Sequence, residues 1–85
     1  MSRAKLTVLT GLGGSGKTTK ARALAADGML HFEGLEDNKA AIRNALLRGQ
    51  DVVVCVNTDV DNNIQLDRMR EIADVAIERL PGGGL

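Results

Sequence analysis

Gly11, Gly16, Lys17 and Thr18 complete the spacing G-x-x-x-x-G-K-[ST], with Gly13, Gly14 and Ser15 inside it and Thr19 directly after it. These residue types at this spacing suit the binding of phosphate. Glycines let successive backbone N–H groups turn inward on one anion. The lysine reaches the terminal phosphates, and the hydroxyl that follows it is a ligand for Mg²⁺. A helix starting here would direct its positive N-terminal end at the same anion.

Such a loop works only between a strand and a helix, and the flanking residues supply both. Leu6-Thr7-Val8-Leu9-Thr10 is a short β-prone run with the character of a buried strand. From Thr18 to Ala26, Ala21, Leu24 and Ala25 are spaced for one apolar helical face, and Asp27-Gly28 supplies the stop. In this context the chain resembles the P-loop NTPase superfamily. The resemblance implies bound ATP with Mg²⁺, Lys17 on the β- and γ-phosphates, Thr18 on the metal, and amides from Gly13 to Thr19, with Gly11 opening the loop, around the phosphates. It is carried by about the first third of the chain; beyond Met29 it is an analogy of fold.

Further along, Met29 to Glu33 reads as a second strand closed by Gly34. Asp37 is placed to cap a second helix over about Asn38–Arg48, with Ala41, Ile42, Ala45 and Leu46 on one face and Gly49 as its stop. Val52-Val53-Val54-Cys55-Val56 is apolar throughout, which suits a parallel strand buried on both faces. The polar run Asn57 to Asn63 can cap a third helix near Gln65. Two readings compete for the last segment. Leu66, Met69, Ile72, Ala73, Ala76, Ile77 and Leu80 fit one continuous helical stripe, or the helix ends near Ala73 and a fourth strand follows; the second is preferred. The expected architecture is α/β: a three-layer α/β/α P-loop sandwich with a three- or four-stranded parallel sheet. One nucleotide-binding domain occupies residues 1–80, and residues 81–85 form a flexible glycine-rich tail. Ligands of such sheets sit at the carboxyl ends of the strands, which brings Glu33 to Asp37 and Asn57 to Asp61 beside the phosphate loop.

Within this superfamily an aspartate usually follows the buried strand and serves the Mg²⁺ shell. Asn57 holds that place here, and Asp59, two residues on, is the candidate metal-side acid. Its structural alternative is a solvated turn with a helix cap. Glu33 ends the second strand and is the candidate catalytic carboxylate, beside Lys17. Phe32-Glu33-Gly34-Leu35-Glu36-Asp37 is similar to the corresponding strand end of small-molecule kinases such as gluconate kinases, which implies a carboxylate near a phosphoryl acceptor. Glu33 can equally activate water, or belong with Glu36 and Asp37 to an acidic loop favouring a helix N-terminus. Leu12 to Thr19 also resembles the loop of partitioning and nitrogenase-iron-protein ATPases, but Leu12 replaces their signature lysine. No guanine-specifying N-K-x-D is present. Arg43, Arg48, Arg68, Arg70 and Arg79 are available to neutralise transition-state charge, with no spacing that selects one, and His31 reads as structural.

Composition narrows the classes. With 85 residues and 11 cationic against 11 anionic side chains, the chain has room for one domain and no overall basic field to attract nucleic acid. Cys55 is the single cysteine, so no internal disulfide forms, and its apolar run marks it as a core residue. No apolar run nears the roughly 20 residues of a membrane span. The N-terminus leads straight into a strand, so a cytoplasmic location is expected. The resulting expectation is a minimal ATPase that works as a homo-oligomer or with a protein partner, since lid and second acid are missing. The alternatives are a kinase-like phosphotransferase with Glu33 near the acceptor, and a non-catalytic module switched by ATP.

Overall fold

A computed structural model describes residues 3–11, 16–56 and 63–80. Seven elements alternate along the chain: β1 (Lys5–Thr10), α1 (Lys17–Ala26), β2 (Leu30–Glu33), α2 (Lys39–Leu47), β3 (Val52–Val56), α3 (Ile64–Arg70) and β4 (Asp74–Arg79). The four strands form one sheet in the order β2-β3-β1-β4, and every pairing is parallel. Parallel neighbours cannot be joined by tight turns, so each connection carries a helix.

The path moves from β1 outward past β3 to β2, returns to β3, and then passes β1 to reach β4. Right-handed crossovers in opposite directions put helices on opposite faces. The packing agrees. Leu9, Ala21, Val53 and Cys55 form a small core under α1, with Leu24 and Met29 against it. Leu6, Val8, Val52, Val54 and Val56 face the other way and pack with Ile42, Ala45 and Leu46 of α2 and Leu66 and Met69 of α3. The result is a three-layer α/β/α sandwich with four strands, and β3 is buried at all five positions as its unbroken apolar run requires.

Local signals explain most boundaries. Both α1 and α2 end in the same glycine motif. Gly28 N–H donates to the Ala25 carbonyl and Met29 N–H to that of Leu24, while Gly49 donates to Leu46 and Gln50 to Ala45. Asn63 caps α3, its Oδ1 accepting from the amides of Gln65 at 2.8 Å and Leu66 at 3.4 Å.

The structure corrects two expectations about α2. Asp37 is not its cap: Asn38 occupies that position, and its side-chain amide donates instead to the carbonyls of Glu33 and Gly34, both at 2.8 Å. Ala41 is exposed and lies off the buried face. The ambiguity after α3 resolves as a strand. Asp74 to Arg79 pair residue by residue with Lys5 to Thr10, and α3 stops at Arg70. Val75 and Ile77 pack on the larger core, whereas Ala76, required inside by a continuous helix, is exposed. The tail, residues 81–85, lies outside the described residues.

Leu66 is fully buried where α3 meets the sheet. Leu66→Ala should cost about 2–5 kcal/mol from lost transfer energy and an unfilled cavity. Against the roughly 5–15 kcal/mol of a typical domain that is a large share. Urea unfolding should therefore show a clearly lowered midpoint with an unchanged slope.

Candidate functional site

Strands β1 and β3 are neighbours, yet the chain leaves their carboxyl ends toward opposite faces, to α1 and α3 respectively. Such a divergence marks a crevice at the carboxyl ends of the two central strands, the usual ligand position in open parallel sheets. The glycine-rich connection leaves β1 at this crevice, and the Asn57-containing connection leaves β3 there. Gly13, Gly14 and Ser15 of the first, and Asn57 and Asp59 of the second, lie outside the described residues.

Gly16 is the N-cap of α1, with φ 89° and ψ 10°, a left-handed conformation that disfavours a side chain. Among the described residues, no side chain caps α1, and no acidic residue sits in its first turn. An uncapped first turn offers amides and a partial positive charge to an external anion, which fits the donor set expected of a phosphate cradle. Lys17 opens the helix with only 8% of its surface exposed, and its ammonium donates to the Gly11 carbonyl across the loop. Thr18 and Thr19 follow, both exposed. At the other side of α1, Lys20 is bonded to Glu78 of β4, tying the helix to the far edge of the sheet.

Glu33 is the last residue of β2 and pairs in register with Cys55 of β3. Side chains alternate along a strand, so His31 shares its face, the one covered by α1. His31 Nε2 lies 2.9 Å from Glu33 Oε2 and 3.7 Å from Cys55 Sγ, and Sγ is 3.8 Å from the Lys17 carbonyl. Desolvation works to raise the Glu33 carboxyl, but hydrogen bonds from His31 and Cys55 and the nearby Lys17 charge prevail and hold it below the usual carboxylate range. Burial, reinforced by the Glu33 carboxylate, pushes the Cys55 thiol up to about 12. Glu33 thus lies within reach of the Lys17 charge, and its direct neighbours are His31 and Cys55. His31 had looked structural. The signal for its place was its spacing of two from Glu33 in a strand, which sets both on one face.

The remaining polar candidates disperse. Glu36, in the turn before α2, pairs with Lys39 at 4.0 Å, and Arg70 pairs with Asp67 at 2.7 Å on the surface of α3. Arg43 and Arg68 line a groove of about 440 Å³ between α2 and α3, on the face opposite α1. Among the described residues, no helix is long and apolar enough to cross a membrane.

No protein-family model matches the chain, and no curated protein does. Solved structures do resemble it. One is a chain in the structure of the Pnkp1/Rnl/Hen1 RNA repair complex, with a TM-score of 0.73 and 19% identity over 94% of this chain and 34% of that one. A second structure of the Pnkp1/Rnl/Hen1 complex gives 0.71 and 17%, over 94% and 36% respectively. A third, the crystal structure of APE1195, gives 0.61 and 20%, covering 93% of this chain and 61% of that one. At these identities the likeness is one of fold. The chain spans about a third of the length of its matches in the RNA repair complex.

Because Glu33 is held ionised in the folded state, its contribution to stability is present above the ordinary carboxylate range. That contribution is lost as pH falls through its lowered folded value. Glu33→Gln should thus flatten the acid limb of a stability–pH profile measured by urea unfolding, leaving stability above neutrality governed by other groups. A wild-type acid limb in the variant would refute the arrangement.

Proposed function

We propose that this chain is a P-loop domain that binds ATP with Mg²⁺ and hydrolyses it, working as an oligomer or with a protein partner. The observation that carries the reading is the glycine-rich connection at the β1/β3 crevice, closed by left-handed Gly16 and followed by buried Lys17 at the start of an uncapped helix. Backbone amides from Gly13 to Thr19 would hold the phosphates, Lys17 the β- and γ-phosphates, and Thr18 the metal, with Asp59 as its candidate second acid. Mg²⁺ would neutralise charge on the triphosphate when bound. The chain's own part is to orient the phosphates and to supply a base.

Glu33 is the base in this reading. Its carboxylate is ionised, lies close enough to Lys17 to feel its charge, and is held by His31. It would accept the proton of an attacking water, a role needed only in the transition state. The same carboxylate beside a hydroxyl acceptor gives the second reading, a phosphotransferase. What favours it is the position of Glu33 on β2 at the outer edge of the sheet, where a second substrate can approach. A fold shared with a chain of an RNA repair complex is compatible with either reading, and the multi-protein setting of that relative with a partner.

Lys17→Ala should weaken ATP binding by roughly 10- to 150-fold, the equivalent of about 1.5–3 kcal/mol for a charge-assisted contact. Gly16→Val should be at least as damaging: its added Cβ meets no atom within 4 Å, so the penalty is the left-handed backbone, about 1–3 kcal/mol. Calorimetric titration with Mg·ATP reads both, and full affinity in a folded Lys17→Ala protein would sink the proposal. Glu33→Gln should retain ATP binding and lose single-turnover phosphate release or transfer. Assaying free phosphate against phosphorylated acceptor separates the two reactions, and binding with neither leaves an ATP-switched module.

A further inference from the structure

His31, Glu33 and Cys55 present a nitrogen, an oxygen and a sulfur whose ligand atoms all lie within 4.8 Å of one another. They come from two hydrogen-bonded parallel strands, with Glu33 and Cys55 directly opposite in register and His31 two residues back on the same face. Three donor types thus lie together at the carboxyl end of the β2/β3 pair, on strands set in register by their hydrogen bonds. From this geometry we propose that the three side chains form a binding site for a thiophilic divalent cation of the Zn²⁺ class, separate from the Mg²⁺ expected with nucleotide.

The His31–Cys55 separation suits such an ion, while the widest separation in the set, up to 4.8 Å, has to close by about an ångström. Zn–N near 2.0–2.1 Å and Zn–S near 2.3 Å put the two donors of a tetrahedral site about 3.6 Å apart; His31 Nε2 and Cys55 Sγ are 3.7 Å apart. The Nε2–Oε2 separation of 2.9 Å is that of a hydrogen bond and has to open by about half an ångström. Glu33 ends an edge strand and is exposed, so a rotamer shift supplies that movement. Charge also balances. A carboxylate and a thiolate cancel the dication, and imidazole adds none, so the loaded site stays neutral beside Lys17. Binding displaces the thiol proton to solvent, forming the metal–sulfur bond without any redox change. The donor set discriminates as well: thiolate with imidazole selects zinc or copper, whereas Mg²⁺ prefers oxygen alone. Three protein ligands leave one position for water or a ligand oxygen, the pattern of an open site. The inference does not rest on the nucleotide reading; Glu33 cannot serve as a base while it ligates the ion, so a loaded site and Glu33-dependent turnover exclude one another.

Titration of the full, reduced chain with Co²⁺ in the absence of nucleotide tests it directly. One equivalent should produce a thiolate-to-cobalt charge-transfer band with tetrahedral visible transitions, and Zn²⁺ should bleach both. Cys55→Ser should abolish the near-ultraviolet band. Because Cys55 is buried and its replacement also touches the core, His31→Gln and Glu33→Gln supply the second arm. Both keep the thiol, alter half-buried or exposed side chains of the edge strand, and should each lower affinity at least tenfold. Absence of the band in the wild type, undiminished affinity in both of the latter variants, or one metal per two chains would overturn the site.

Discussion

Strand β1 pairs with β3 from Leu6 to Thr10 on one side and with β4 from Lys5 to Thr10 on the other, and the rest of the fold is arranged around that double pairing. Parallel neighbours on both sides oblige the chain to leave β1, travel outward and come back across it. That return crossing reverses the direction of the path, so α1 lies on one face and α2 and α3 on the other. The crevice between the ends of β1 and β3 is the direct product of the reversal. At this position β1 is immobilised on both edges, and α1 starts at Gly16 with no side-chain cap among the described residues.

The two cores differ in size, and this bears on the site. The α2/α3 side packs five strand residues of β1 and β3 against two helices. The α1 side rests on Leu9, Val53 and Cys55 with Ala21, and is supplemented by Leu24, Met29 and the Lys20–Glu78 tie. Cys55 belongs at once to that small core and to the polar cluster with His31 and Glu33. Its high-lying thiol records the overlap: burial and an adjacent carboxylate both oppose the thiolate. Chemistry and packing meet at one side chain.

Much of this was legible in the residues. The Val52–Val56 run could only be a strand buried on both faces. Gly28 and Gly49 stand where a left-handed stop is needed, and the polar run before Gln65 contained the capping Asn63. Other features were not legible, for identifiable reasons. Leu66 to Leu80 carries apolar residues at spacings that serve a helix and a strand alike, and only pairing with β1 decides between them. Asp37 is as good a cap as Asn38 in the abstract, but Asn38 alone can donate its amide to the carbonyls that close β2. The polar cluster depends on register between strands separated by a helix, and no local pattern encodes that register. The expected second acid, Asp59, falls outside the described residues.

The two strands that flank β3 are not held equally. Lys17 follows a strand with partners on both edges, every residue of it after Lys5 buried. His31 and Glu33 ride on four residues that pair only with β3 and bury none of their side chains fully. Opening free energy scales with what must be broken, so β2 can separate from β3 at a cost well below global unfolding. Strand β3 is therefore held in a vice with one fixed jaw and one sprung jaw. The β1 side keeps its shape, and local opening of the sheet falls on the strand that carries His31 and Glu33.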